Sequence, residues 1–137
     1  MTGDNPATVE MDGTYTDAGA TSDGGETVTP DGIEDVLTST VGTYTITYSA
    51  TDAAGNTGTA TRIVNVVDTT LPLISVLGDN PATVEMDGTY TDAGATSDGG
   101  ETVTTDGIED VLTSTVGTYT ITYSATDAAG NTGTATR

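Results

Sequence analysis

Residues 3–62 recur as residues 78–137, an offset of 75 (78 − 3), with Pro30 against Thr105 as the one difference. Segments this alike must adopt one fold twice, so the 137 residues are expected to form two small tandem domains. At that size a domain buries only about 60% of its unfolded surface, and its stability is marginal. The core must come from Val, Ile, Leu, Ala, Met and Tyr, because Phe, Trp and Cys are absent.

The pattern within one copy is that of strands. Tyr44, Ile46, Tyr48 and Ala50 alternate with Thr45, Thr47, Ser49 and Thr51, which predicts a half-buried strand over 43–51. Asp52-Ala-Ala-Gly-Asn56 reads as a turn, and a second strand over 57–67 completes a hairpin. Its phase places Ala60, Arg62, Val64 and Val66 on the inner face. Shorter strands are predicted over 7–11, 14–21, 26–29 and 33–37, with turns at Asp12-Gly13 and Ser22-Asp-Gly-Gly25. Thr, roughly a quarter of the chain, favours strands, and no segment sustains a helical period. Many short strands separated by turns indicate an all-β sandwich.

Composition removes most activities. With no His, Cys or Lys, the usual nucleophiles and bases are missing, and zinc loses its preferred ligands. Carboxylate pairs for glycoside chemistry carry no specificity in a chain this acidic, so no enzyme is expected. A net charge of −19 excludes nucleic acid as partner and repels anionic membranes. No apolar run approaches the ~20 residues of a membrane span. No signal peptide is recognisable, and Met1-Thr2 reads as a start placed ahead of the repeat. Without Lys and Gln, neither Lys–Asn isopeptide nor Thr–Gln ester cross-links can form. The Thr43, Thr45, Thr47 row is a solvated strand face and not an ice-binding array.

Arg62 and Arg137 are the only cations, one per copy. Either the strand bulges and exposes Arg62, or Arg62 is buried and must find a carboxylate, for which Asp17 is the expected partner.

The run 41–56 (VGTYTITYSATDAAGN), then Asp68-Thr-Thr-Leu-Pro72 and Gly78-Asp-Asn-Pro81, resembles bacterial immunoglobulin-like surface repeats of the DUF5011 and HYR-like groups. The resemblance covers nearly the whole chain. It implies an all-β fold of two tandem Ig-like antiparallel β-sandwich domains, 1–68 and 69–137. The first lacks its first strand and the second the end of its last strand, so each presents an unpaired sheet edge. It also places a tyrosine corner at Tyr44 and Tyr119. The stretch 23–36 lacks the family's Asp-Asn-x-Asp-Gly-Asp-type loop, so metal sites of that loop are not carried over.

In such a sandwich the turns 97–101 and 127–131 face the preceding domain, where the linker carboxylate Asp68 enters. Calcium held by Asp68, Asp98, Asp127 and Asn131 is then expected, against the alternative that Asp-Ala-Ala-Gly-Asn is only a hydrogen-bonded turn. The implied role is an extracellular, cell-surface spacer or stalk repeat, adhesin-like, stiffened by the short Pro72-containing linker. Its partners are neighbouring repeats of the same array. A glycan- or host-protein-binding module, and a self-associating subunit that exchanges strands through open edges, are the alternatives.

Overall fold

The computed structural model describes residues 1–137 and contains strands and turns but no helix. The chain divides into two compact units, Met1–Asp68 and Thr69–Arg137.

Unit 1 holds β1 (Ala7–Glu10), β2 (Thr29–Asp31), β3 (Gly42–Thr51) and β4 (Thr57–Val67) in one sheet of order β1-β4-β3-β2. β3 and β4 form the predicted hairpin, in register from Gly42↔Val66 to Thr51↔Thr57. The turn is closed by Asp52, whose main-chain N–H donates to the Asn56 carbonyl (2.9 Å). Gly55 supplies the positive φ (89°) that the turn needs. β1 runs parallel to the end of β4, pairing Ala7↔Val64 through Glu10↔Val67. Ile46, Tyr48 and Val64 form the buried centre, covered by Tyr15, Ala20, Val28 and Val36 from the facing layer.

Unit 2 holds β5 (Ile74–Val76) paired antiparallel with β6 (Ala95–Ser97), and a sheet of β7 (Thr104–Asp106), β8 (Thr122–Thr126) and β9 (Thr132–Thr136). Its core is Ile74, Ile121, Tyr123 and Ala125. The all-strand architecture is that of an Ig-like β-sandwich, although in unit 1 the four strands form one sheet and the segments packed against its core carry no ladder. Pro30 and Thr105 lie on the edge strands β2 and β7, where proline is tolerated.

Several short elements differ from expectation. Residues 33–37 form turns and not a strand, with Val36 N–H donating to the Ile33 carbonyl at 3.2 Å. The strand expected over 26–29 lies at Thr29–Asp31. Residues 14–21 carry no ladder, although Tyr15 and Asp17 still alternate inward. Ala60, expected inside, is exposed because nothing covers that end of β4. Pro72, read as linker, is buried within unit 2, its main chain lying over Gly133 of β9.

The two units also differ from each other, although they share a 60-residue sequence. Residues 82–85, the equivalents of β1, are not a strand, whereas residues 95–97 are, unlike their equivalents 20–22. The cause is the flanking chain. Ile63–Val67 gives β1 a neighbour in unit 1, and Ile74–Val76 gives β6 a neighbour in unit 2. Strand identity here follows the available pairing partner more than local propensity.

Candidate functional site

The most constrained polar cluster is built on β4 and the segment before β2. Strand phase turns Arg62 inward, and its side chain is 1% exposed. Its Nη1 donates to Asp17 Oδ1, and Nη2 donates to the carbonyls of Thr2 and of Gly19, the latter at 3.1 Å. The guanidinium carbon stands 5.6 Å from the centre of the Tyr48 ring, a cation–π contact.

Asp17 is equally engaged. Its Oδ1 also accepts from the hydroxyls of Tyr48 (2.5 Å) and Tyr15 (3.1 Å), and its Oδ2 from Gly19 N–H (3.0 Å). Four donors on one carboxylate satisfy a charge that would otherwise be very costly to bury. Arg62 Nε, like Arg137 Nε of unit 2, is buried and left without a partner.

Unit 2 repeats the node. Arg137 Nη1 donates to Asp92 Oδ1, joined by Tyr123 OH (2.6 Å) and Tyr90 OH (3.1 Å), while Gly94 N–H donates to Oδ2 (3.1 Å). Arg137 Nη2 donates to the Leu77 carbonyl, the equivalent of Thr2.

The electrostatics follow from this wiring. Burial alone would lift the Asp17 carboxyl. The hydrogen bonds from Tyr48 and Tyr15, the Arg62 charge and the Gly19 N–H outweigh it and hold Asp17 below the usual carboxylate range. Asp92 is lowered by the same balance. Burial, then the bond to Asp17, pushes Tyr48 up to about 12, and Tyr123 rises to about 12 for the same reasons with Asp92.

A raised tyrosine pKa means that the fold favours the neutral phenol. That stabilisation is complete below about pH 10, the unfolded value, and is lost as pH rises toward 12. In a spectrophotometric titration of the six tyrosines, Tyr48 and Tyr123 are therefore expected to ionise last, with unfolding following. A single transition near pH 10 for all of them in folded protein would contradict the node.

Tyr44 and Tyr119 each close a corner. Tyr44 OH donates to the Thr40 carbonyl (2.9 Å), and Tyr119 OH to those of Thr115 (2.8 Å) and Leu112 (2.9 Å). These bonds tie the start of the long hairpin to the preceding turn.

Among the calcium candidates of unit 2, Asp98 Oδ1 accepts from Leu73 N–H (2.9 Å) and Gly99 N–H (3.0 Å). Asp127 Oδ1 accepts from the Asn131 main chain and Oδ2 from its amide, both at 2.8 Å. The half-buried Asp127 carboxyl is lowered, first by the side-chain bond from Asn131. Asp68 directly follows β4 at the end of unit 1. No three acidic side chains converge as a metal cage. Asp127 thus accepts within its own turn, and Asp98 accepts both from the next residue and from the chain entering β5.

Sequence reasoning placed Tyr48 on an inner strand face and Tyr44 and Tyr119 at a corner. It missed the convergence of Tyr15 and Tyr48 on Asp17, and the carbonyls of Thr2 and Gly19 on Arg62. The one signal was Asp17-Ala-Gly19, where a positive-φ glycine (76°) turns the chain beneath the carboxylate.

Two Ig-like units, each with an Arg–Asp–Tyr node at its centre, make up a tandem β-repeat. The chain belongs to the bacterial surface protein Ig-like domain family, whose model matches residues 1–66 and 74–137. The chain is similar to proteins described as "Serine-rich adhesin for platelets" of Staphylococcus aureus. Identity is 33% over 105 residues with the strain MRSA252 and strain MW2 proteins. The alignment covers 66% of this chain but only 8% of the first relative and 5% of the second. The chain is thus an adhesin-like repeat of the bacterial cell surface. No helix is long and apolar enough to cross a membrane.

Proposed function

We propose that this chain is a spacer segment of a surface adhesin-like protein, one that sets distance and transmits load and performs no catalysis. The observation that carries this is where the specialised chemistry lies. The only two cations are inside the sandwiches, bonded to Asp17 and Asp92. The exposed loops 22–26 and 97–101 are identical in sequence, as suits a repeated structural part. A binding module would be expected to diversify such loops.

The test is a glycan and host-protein array probed with the isolated chain. A spacer gives no saturable retention. Retention that is lost on replacing residues 22–26 and 97–101 would favour a binding module and end the spacer assignment.

Calcium enters as a counter-ion for 21 acidic against 2 basic side chains, with Asp68, Asp98, Asp127 and Asn131 as its candidate ligands. Carboxylates such as Asp98 and Asp127 keep lone pairs beyond those their N–H donors use. Titrating calcium into metal-stripped protein is expected to release or absorb heat and raise the melting temperature. Absence of both removes calcium from the proposal. Self-association through open sheet edges is a further element, checked by light scattering against concentration.

A further inference from the structure

The one residue that distinguishes the two copies, Pro30 against Thr105, lies on an outermost strand in both units. Thr29–Asp31 of β2 and Thr104–Asp106 of β7 are exposed throughout.

The ladder fixes which way this position faces. Ile121 and Arg137 exchange both N–H···O bonds at 2.9 Å, and the Asp127 N–H donates to the Asn131 carbonyl at 3.0 Å. Main-chain groups alternate in direction along a strand, so residues 121, 123 and 125 address β9, while 122 and 124 address β7. The bonded pairs between β7 and β8 are thus Thr104↔Ser124 and Asp106↔Thr122. Thr105, opposite Tyr123, turns its N–H and C=O away from β8, off the edge of the sheet. In unit 1 the Asp52 N–H donates to the Asn56 carbonyl, so Tyr48 addresses β4 and Pro30 faces outward as Thr105 does. Proline therefore costs β2 no ladder bond, but it removes the donor at the middle of the outer edge. Unit 1 has a blunted edge, and unit 2 an edge with its central donor in place.

The surroundings select what can pair there. Residues 98–110 hold Asp98, Glu101, Asp106, Glu109 and Asp110 and no cation, and all of these but Glu101 are exposed. Thr104 and Asp106 share the outer face of the sheet with Ser124 and Thr122, and Thr104 Oγ1 lies 2.8 Å from Ser124 Oγ. A strand laid against β7 sets its own side chains beside Thr104 and Asp106, where Lys or Arg meets a carboxylate and Asp or Glu is repelled.

We propose that the β7 edge of unit 2 is a strand-acceptor site for an extended basic peptide with Lys or Arg at alternate positions. The peptide pairs antiparallel. Its central residue exchanges two main-chain bonds with Thr105, and a neighbouring cation stands beside Asp106. A second copy of the chain is the poorer occupant, because pairing edge to edge would bring the same carboxylates together from both sides. This inference stands on the Pro30/Thr105 difference and not on the spacer role. Binding through the loops 22–26 and 97–101 is lost when those loops are replaced, whereas pairing here is lost with the Thr105 N–H.

The two units supply the controls for the test. Thr105→Pro installs what unit 1 already carries at the same place in the same ladder, so fold and charge are kept. Pro30→Thr restores the donor in unit 1. The probes are Lys-Val-Lys-Val-Lys and Lys-Pro-Lys-Pro-Lys, equal in charge, the second lacking N–H groups at its alternate positions. Each is titrated into the full chain and followed by NMR amide shifts. The valine peptide is expected to bind on the order of tenfold more tightly, for the two main-chain bonds at Thr105. Its shifts should centre on Thr104–Asp106 and spare Thr29–Asp31. Thr105→Pro should erase the margin between the peptides, and Pro30→Thr should add a second set of shifts at residues 29–31. Glu-Val-Glu-Val-Glu should not bind. Equal binding of the two basic peptides, a margin that survives Thr105→Pro, no new site in Pro30→Thr, or binding of the glutamate peptide would each overturn the assignment. So would self-association without peptide that Thr105→Pro abolishes, which would name a second copy as the occupant.

Discussion

Replacing Asp17 by Ala is expected to unfold unit 1 while unit 2 keeps its structure. The Arg62 side chain is 1% exposed, and Asp17 is its only carboxylate partner. Removing that partner leaves a buried cation with two main-chain carbonyls and an aromatic face, a loss on the order of 3–5 kcal/mol. It also strands the hydroxyls of Tyr48 and Tyr15. A unit of this length has in total only about 3–10 kcal/mol, at roughly 0.05–0.15 kcal/mol per residue. Hydrogen exchange resolves the two units, and Asp92→Ala should produce the mirror result in unit 2.

The pairing itself is read from a double-mutant cycle. Arg62→Met with Asp17→Asn should recover much of what Asp17→Asn alone loses, because the unpaired charge has gone. Strict additivity of the two changes would show that they do not interact.

The second large effect is one substitution with opposite signs in the two units. A Cβ placed on Gly133 would stand 1.8 Å from the Pro72 carbonyl oxygen, a main-chain atom that moves only if the chain entering β5 moves. Gly133→Ala should therefore destabilise unit 2 by about 1–3 kcal/mol or more. Gly58, its equivalent on β4, meets nothing within 4 Å. Gly58→Ala is expected to stabilise unit 1 by about 0.4–1 kcal/mol, through the unfolded chain's lost freedom. Thermal or denaturant melts of the two variants check this, and shifts of the same sign would contradict the placement of Pro72 over β9.

The long hairpin was legible because its signal is local. Alternation over 43–51, the Asp52–Asn56 turn and the inward phase of Arg62 all lie within 20 residues of one another. The choice of Asp17 for Arg62 needed only the cost of an unpaired buried charge, since the fold had to bring some carboxylate there. What could not be read was anything decided by a neighbour distant in sequence. Residues 20–22 and 95–97 are both Ala-Thr-Ser, yet only the second set forms a strand, because only it lies beside Ile74–Val76. Residues 33–37 have strand-like composition but lack a partner and settle into turns. Ala60 has the right phase for burial and no layer above it. The acceptors of the arginines were illegible for another reason, since main-chain carbonyls such as Thr2 leave no mark in residue identity.

The parallel pairing of Ala7–Glu10 with Val64–Val67 sets how unit 1 answers a pull. These are its first and last strands, so tension on its two ends drags them along their length in opposite directions. Every rung between them is then strained together, and none can be peeled off ahead of the rest. Antiparallel end strands tugged from one side would instead open rung by rung at low force. A protein tethered in flowing liquid gains from the first arrangement, because rupture then needs one concerted failure.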